Sequence, residues 1–161
     1  MRRAVRRLSV PLACLGALLW VGPASAEIIP QQSIAKVELG MTRPEVRAVR
    51  GDPRSVAHGT NEFGNYTVFR YWKLRVTFQG NAGATAVFTT RRRQVTPAGI
   101  GVGSTVTEIR AAYPHARCRK ESANFRHCWT GRFEPGRRVT DYRIGIDSHR
   151  VLSVLVGFVI D

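Results

Sequence analysis

The sequence predicts an α+β fold made of two tandem repeats, in which short helices precede an antiparallel β-meander and pack on one face of its sheet. Two observations carry this prediction. A short motif occurs twice along the chain, and each copy is followed by runs in which apolar and polar residues alternate, as they do in half-buried strands. The predicted units are residues 27–96 and residues 97–161, after an N-terminal leader of residues 1–26.

The leader has the pattern of a secretory signal peptide. An apolar stretch runs from Leu8 to Val21, and the cleavage pattern Ala24-Ser25-Ala26 follows it. The stretch is shorter than the roughly 20 apolar residues that a membrane-spanning helix needs, which disfavours the alternative of an uncleaved anchor. Four arginines form the positive region in front of it: Arg2, Arg3, Arg6 and Arg7.

We predict cleavage after Ala26 and export of the remaining chain to the cell envelope, the periplasm or the medium. Cys14 lies inside the apolar stretch and not at its end, so we expect no lipid anchor. The sequence after the leader contains no run that is apolar and long enough for a transmembrane helix.

The chain is strongly basic, with 25 Lys and Arg residues against 11 Asp and Glu residues. Only four of the basic residues lie in the leader, so the excess belongs to the exported part. Such a charge favours an anionic partner: a protein with an acidic face, a wall polymer, a lipid surface or nucleic acid. The alternative is that the charge only keeps a small domain soluble.

The repeated motif is Gly40–Ala48 in the first unit and Gly103–Ala111 in the second. Gly, Thr, Glu, Arg and Ala fall at equal offsets, and Val46 corresponds to Ile109. The threonine and the glutamate, three residues apart, predict a capping box at the start of a helix in each unit. These residues are Thr42 with Glu45, and Thr105 with Glu108; Pro53 and Pro114 then end the two helices.

Alternating strands follow each predicted helix. Leu74, Val76 and Phe78 share one face, and so do Tyr142, Ile144 and Ile146. The long apolar run at the C-terminus predicts a central strand whose core face holds Leu152, Val154, Val156, Phe158 and Ile160. We also expect a short helical element before each capped helix, and a turn or bulge near Trp72. Neither unit is large enough for a robust core by itself, so the two meanders must join or pack, in one sheet or in two.

Two cysteines remain after the leader, Cys118 and Cys128. In an exported chain, an even pair in a polar segment predicts a disulfide. The alternative is a metal site, because His115 and His127 lie close to the cysteines at spacings that resemble those of ligands. Adjacent residues of a strand point to opposite faces, however, so His127 and Cys128 would not converge. We therefore predict the disulfide and no metal.

The segment Leu39-Gly40-Met41-Thr42, followed by Glu45-Val46 and by Gly51-Asp52-Pro53, resembles the signature of the SmpA/OmlA (BamE-like) family. The tandem plan, with a disulfide after a capped helix, resembles the β-lactamase inhibitory protein-like fold. The resemblance implies a helix–loop–helix with an antiparallel sheet, and a role in binding or assembly. The first unit has no cysteine, the second has Tyr113-Pro114 in place of Gly51-Asp52-Pro53, and no inhibitory residue can be matched.

Residue patterns of the common enzyme classes are missing. The sequence has no Gly-x-Ser-x-Gly elbow, and the glycine-rich segment 99–103 lacks the Lys-Ser/Thr of a phosphate-binding loop. The histidines fall in predicted loops without partners at a recognisable spacing: His58, His115, His127 and His149. We expect no catalytic residue and no cofactor. The alternative is a small secreted hydrolase or metal-binding protein built on the loop between Cys118 and Cys128.

Strand alternation predicts a basic, aromatic face on the side of the sheet opposite the core. We expect this face to engage a protein partner or an anionic envelope component, without specific binding of nucleic acid. Inhibition of an exported enzyme is an alternative within the same class. Aromatic residues and arginines dominate binding interfaces, so the predicted contact residues are Tyr71, Trp72, Arg75, Trp129 and Arg143.

Overall fold

A computed structural model describes residues 27–160 of the chain. The predicted leader, with its cleavage site and its cysteine, lies outside these residues. The described part is mostly β, with two short helices, a three-stranded sheet and an eight-stranded antiparallel sheet. The predicted short helices and antiparallel strands are confirmed, but the α+β prediction overstated the helical share, because the helices are only seven and eight residues long.

The described part begins with a small sheet where a short helical element was expected. Its strands are two residues long: β1 (Ile28–Ile29), β2 (Ser33–Ile34) and β3 (Val37–Glu38). Gln31, Ala35 and Lys36 adopt positive φ angles in the connecting turns, a conformation that a right-handed helix excludes. The apolar residues of these strands are nevertheless core residues, since Ile28, Ile34 and Val37 are completely buried.

Both predicted helices form, as α1 (Arg43–Arg50) and α2 (Val106–Ala112), and both capping boxes are confirmed. The backbone N–H of Thr42 donates to Oε2 of Glu45 over 2.7 Å, and the Glu45 N–H donates to Oγ1 of Thr42 over 3.4 Å. Thr105 and Glu108 make the same two hydrogen bonds over 2.7 and 3.2 Å. Val46 and Ile109 are the buried residues of the two helices.

Each helix is followed by four antiparallel strands. The first four are β4 (Ser55–Asn61), β5 (Gly64–Tyr71), β6 (Leu74–Gln79) and β7 (Ala84–Thr89). The second four are β8 (Arg117–Lys120), β9 (Phe125–Gly131), β10 (Arg138–Gly145) and β11 (Val151–Phe158). The strand order is β4-β5-β6-β7-β11-β10-β9-β8. The two meanders therefore share one sheet, joined where Val87 of β7 lies opposite Val156 of β11.

The glycine at the start of each motif has the same structural role. Gly40 and Gly103 both have positive φ, at 93° and 102°, just before the N-cap. Gly40 N–H donates to Ala84 O, and Ala84 N–H donates to Met41 O. In the second half, Gly103 N–H donates to Val151 O, and Val151 N–H donates to Ser104 O. Each motif is thus tied to the first residue of the strand that completes its own meander.

All covering elements lie on one face of the large sheet. Over β10, the backbone N–H of Gln31 donates to Thr140 Oγ1 at 2.7 Å. The guanidinium of Arg47 in α1 lies 4.8 Å from the Phe69 ring centre, and Tyr113 after α2 stacks on Tyr142 with ring centres 6.5 Å apart. The core between them includes the predicted residues Leu74, Val76, Phe78, Tyr142, Ile144, Val154 and Val156.

A bulge changes which residue of the last strand enters the core. Arg143 pairs with Ser153, but the next residue, Ile144, pairs with Val151, so Leu152 has no partner on β10. As a result Val151 is buried and Leu152 is 42% exposed. The predicted core position of Leu152 is therefore wrong. Ile160 is also exposed, at 43%, because β11 ends at Phe158.

Candidate functional site

The open face is defined here as the side of the eight-stranded sheet opposite the helices. One row of directly paired residues crosses this face from edge to edge. It includes apolar positions at its centre and basic positions on both sides. In order across the sheet the row consists of Ser55, Arg70, Arg75, Phe88, Leu155, Asp141, Trp129 and Arg117.

Two arginines of the open face stack on aromatic rings. The guanidinium carbon of Arg75 lies 4.0 Å from the ring centre of Phe88, its partner on the next strand. The guanidinium of Arg143 lies 3.6 Å from the ring centre of Phe125. Stacking restricts the plane of each guanidinium while its N–H groups remain directed along that plane. Within residues 27–160, neither side chain makes an ion pair or a side-chain hydrogen bond.

Both arginines line one groove of about 700 Å³. Its floor is apolar, formed by Phe88, Phe125 and Leu155, while Ser122 and Ser153 contribute hydroxyl groups. An apolar floor with a few polar groups at defined positions is typical of small-molecule and side-chain pockets. The groove can therefore hold an anionic group between two positively charged walls.

His127 lies beside this groove, between two carboxylates. Its Nδ1 is 2.7 Å from Oδ2 of Asp141, and its Nε2 contacts Oε2 of Glu121. The side chains of His127 and Asp141 are 25% and 20% exposed, and that of Glu121 is 59% exposed. Each ring nitrogen of His127 therefore contacts a carboxylate oxygen.

Burial raises the pKa of Asp141 above its ordinary value of 3.8, and attraction to the His127 ring offsets only part of the rise. Its second oxygen, Oδ1, is buried without a hydrogen-bond partner among the described residues. The two acidic residues of the groove are thus held against His127. Arg143 is close enough to lower the pKa of Asp141, but neither it nor Arg75 forms an ion pair among the described residues.

A second groove, of about 460 Å³, lies on the other side of His127. Trp129 and Phe133 form its aromatic wall, with ring centres 5.3 Å apart, and Arg117 and Arg119 form its basic rim. The same three residues, Glu121, His127 and Asp141, separate it from the first groove. The open face therefore repeats one pattern, arginines beside aromatic rings, on both sides of Glu121, His127 and Asp141.

The five predicted contact residues do not all lie together. Arg75, Trp129 and Arg143 are on the open face. Tyr71 lies on the covered face, where its hydroxyl donates to Gly51 O over 3.1 Å and burial raises its pKa. Trp72 lies in the turn between β5 and β6 and is 54% exposed. The Nζ atom of Lys73 lies 4.8 Å from the centre of its ring. That turn lies at the position where a turn or bulge was expected.

The predicted disulfide joins Cys118 of β8 to Cys128 of β9, at directly opposed positions. Both sulfurs are used in this bond, so the alternative in which they ligate a metal is wrong. Among residues 27–160, no group of three or more His, Cys, Asp and Glu side chains is arranged to hold a metal ion.

The expectation that the histidines occupy loops is wrong for two of them. His127 lies in β9, next to Cys128 and on the opposite face, and His58 lies in β4, with its Nδ1 3.3 Å from Thr67 Oγ1. The sequence reasoning also missed Glu121, Asp141, Phe88 and Phe125. For Asp141 a signal existed: alternation with Tyr142 places it on the same face as Arg143. The positions of the other three depend on strand pairing.

No protein family and no curated protein matches the sequence of this chain. Similar folds occur among solved structures of bacterial proteins. A cysteine-rich secretory protein from Staphylococcus aureus has a TM-score of 0.50 and 13% identity, over 84% of this chain and 48% of its own. A DUF4309 family protein, YjgB, from Bacillus subtilis has a TM-score of 0.48 and 13% identity, over 84% and 90%.

An extracellular protein containing an SCP domain, from Bacillus anthracis, has a TM-score of 0.48 and 12% identity, over 74% of this chain and 44% of its own. This chain spans about half the length of the staphylococcal and anthrax proteins. At such identities the likeness concerns the fold alone.

The resemblance to the SmpA/OmlA (BamE-like) family and to the β-lactamase inhibitory protein-like fold is wrong, since the staphylococcal structure with a similar fold is a cysteine-rich secretory protein. The motif that suggested it describes a positive-φ glycine, a capping box and a helix end. Those local features arise wherever a capped helix precedes a meander.

Among the described residues, no helix is long and apolar enough to cross a membrane.

Proposed function

We propose that the protein is an exported binding module without catalytic activity, whose open face engages an anionic group on a protein or on a component of the cell envelope. The observation that carries this proposal is the pair Arg75 and Arg143. Both line one groove, each stacks on an aromatic ring, and neither has an anionic partner within residues 27–160.

The electrostatics of the row support an anionic ligand. Arg75 lies directly opposite Arg70 on β5, and like charges at paired positions of a sheet destabilise it. A bound carboxylate or phosphate relieves that repulsion. A planar guanidinium also matches such groups with two parallel hydrogen bonds, which makes arginine better suited than lysine to this task.

The geometry around His127 argues for binding and against catalysis. A catalytic histidine needs one ring nitrogen oriented by an acid and the other free to exchange a proton with a nucleophile or a substrate. Here Asp141 and Glu121 contact both nitrogens. Ser122 and Ser153 line the groove, but neither hydroxyl forms a hydrogen bond with His127 among the described contacts. We infer that Glu121, His127 and Asp141 divide the two grooves and do not form a catalytic centre.

Two observations support export. A disulfide persists in oxidising compartments and is rare in the cytosol. The staphylococcal protein with a similar fold is a secretory protein. We also infer that the two halves are tandem repeats, because equivalent glycines, capping boxes and hydrogen bonds recur in both.

Affinity capture tests the proposal. The disulfide-intact chain, without residues 1–26, is immobilised and exposed to the secreted and envelope fractions of the producing organism at low and high salt. We expect the unchanged protein to retain an acidic protein or polymer, and the variant Arg75→Gln/Arg143→Gln to lose it.

The variant Arg92→Gln/Arg93→Gln is the matched control, because it removes the same charge from exposed loop positions. If the two variants lose the partner equally, the interaction depends on net charge alone and the proposed site is wrong. Catalytic turnover of a captured polymer by the unchanged protein would contradict the non-catalytic part of the proposal.

A further inference from the structure

The two edges of the eight-stranded sheet differ in how they are protected. At one edge, β8 is four residues long and carries three cations, Arg117, Arg119 and Lys120. At the other edge, β4 is seven residues long, Ser55–Asn61, and contains no Lys, Arg, Asp, Glu or Pro. Natural sheets block exposed edges with short strands, charges and prolines, because a free edge can pair with another chain. The edge at β4 has none of these devices.

The groove beside this edge adds side-chain specificity. It holds about 530 Å³ between α1 and strands β4 and β5. Val56 and His58 point into it from the edge strand, and Phe69 lies at its base. Val56 is 40% exposed, although it lies on the face of the sheet that the core occupies. If another strand paired with β4, every second side chain of that strand would lie on the same face as Val56, and one of them would cover it.

The rim of the groove is basic. Arg43 and Arg47 of α1 lie over the rings of Phe78 and Phe69, at 4.9 and 4.8 Å. Arg43 donates to the Gly80 carbonyl over 2.7 Å, and Arg47 lies 3.5 Å from a carboxylate oxygen of Asp52 on the exposed surface. Both side chains line the groove, and these contacts use only Nη2 of Arg43 and Nε of Arg47.

We propose that the free edge of β4 binds an extended acidic segment of another protein by strand addition, with an apolar side chain over Val56 and an acidic one against Arg43 and Arg47. Main-chain hydrogen bonds supply affinity in this mode, and pockets for alternate side chains supply specificity. Charge selects the occupant. A second copy of the exported chain carries the same arginines, and without the four arginines of the leader it still has 21 Lys and Arg residues against 11 Asp and Glu residues, so self-pairing is repelled. The proposal concerns a different surface from the open face.

The probe is a synthetic acetylated heptapeptide, Thr-Glu-Thr-Val-Thr-Glu-Thr, titrated into the disulfide-intact protein. Its valine and glutamates are two residues apart, so in a strand they share the face that meets Val56, Arg43 and Arg47. Hydrogen exchange followed by NMR reports where it binds. We expect slower exchange for backbone amides of residues 55–61 and unchanged exchange in β8. Methylating alternate amides of the peptide removes its hydrogen bonds to one neighbouring strand, and replacing its glutamates by lysines reverses its charge; each change should weaken binding by about tenfold or more.

The variant Val56→Glu places a blocking charge at the edge that also repels the acidic peptide, and we expect it to weaken peptide binding by about tenfold. Ser55→Glu adds the same charge to the same strand on the open face, and we expect a change of less than about twofold. Val56 is partly exposed, so the substitution is compatible with folding. The hydrogen-exchange experiment uses the unchanged protein and therefore tests the site even if the variant does not fold.

Three outcomes would overturn the proposal: no binding of the acidic peptide, protection on the open face in place of β4, or formation of a dimer through β4. Protection around Arg75 and Arg143 alone would refute the edge site while leaving the open-face function intact.

Discussion

The guanidinium of Arg143 lies 3.6 Å from the ring centre of Phe125, across the first groove of the open face. The two residues are 18 positions apart in the chain and are brought together by the pairing of β9 with β10. Stacking at this distance fixes the plane of a long side chain before a ligand arrives, so less conformational entropy is lost on binding.

Replacing Phe125 by leucine should weaken anion binding without changing the charge of the protein. A cation–π contact at an exposed site contributes about 0.5–1 kcal/mol, which corresponds to a loss of about 2–5-fold in affinity. Calorimetric titration with pyrophosphate measures the change. Phe63→Leu, at an exposed turn position outside the groove, serves as the control and should bind as the unchanged protein does.

The two capping boxes should contribute equally to stability. Thr42→Ala and Thr105→Ala each remove a side chain that accepts a hydrogen bond from the first turn of a helix. We expect each to lower the free energy of unfolding by about 1 kcal/mol in urea titrations. Thr107→Ala is the control, because Thr107 is exposed inside α2 and alanine has the higher helix propensity. An unchanged midpoint for either cap variant would contradict the hydrogen bonds described.

Lowering the pH should reduce the stability that the capping glutamates give to the first turns of α1 and α2. Hydrogen bonds from Thr42 and Thr105 lower the pKa of Glu45 and Glu108 below the ordinary value of 4.5. A carboxylate with a lowered folded-state pKa stabilises the protein above its unfolded-state pKa, and this stabilisation is lost as the pH falls through the lower folded-state value. The variant Glu45→Gln/Glu108→Gln should therefore be less stable at neutral pH, with a difference that shrinks in acid below pH 4.5. Urea unfolding across this range tests it, with Glu134→Gln as the control; a difference independent of pH would contradict the assignment.

The bulge in β11 predicts an unusual order of mutational effects. Val151→Ala should cost about 2 kcal/mol, because a completely buried side chain loses its contacts and leaves a cavity. The larger residue beside it, Leu152, is 42% exposed, and Leu152→Ala should cost less than about 0.5 kcal/mol. The free energies of unfolding of both variants, measured by chemical denaturation, test this order. The reverse order would place Leu152 in the core and shift the register of β11 against β10.

Local features of this fold were predictable from the sequence. A threonine followed three residues later by a glutamate specifies a capping box through hydrogen bonds within one turn, and both boxes form. The alternation of Leu74, Val76 and Phe78 likewise assigns a buried face without knowledge of any neighbour. The disulfide between Cys118 and Cys128 followed from the even number of cysteines after the leader and from the compartment.

Features that depend on pairing between distant strands were not predictable. Asp141 and His127 are 14 residues apart, and only the register of β9 against β10 brings Oδ2 to within 2.7 Å of Nδ1. The bulge at Leu152 breaks the two-residue period on which the core assignment rested. The small N-terminal sheet depends on positive φ angles at Gln31, Ala35 and Lys36. Glutamine, alanine and lysine do not favour such angles, so the sequence did not predict them.

The most direct test of the central claim is a titration of the disulfide-intact protein with pyrophosphate, comparing the unchanged chain with Arg75→Lys/Arg143→Lys. Lysine keeps the charge but loses the planar fork and its stacking, so we expect the variant to bind about tenfold more weakly. The matched variant Arg92→Lys/Arg93→Lys should bind as the unchanged chain does. Equal affinities for all three proteins, or no saturable binding by any of them, would contradict the claim that Arg75 and Arg143 form a site for an anionic group.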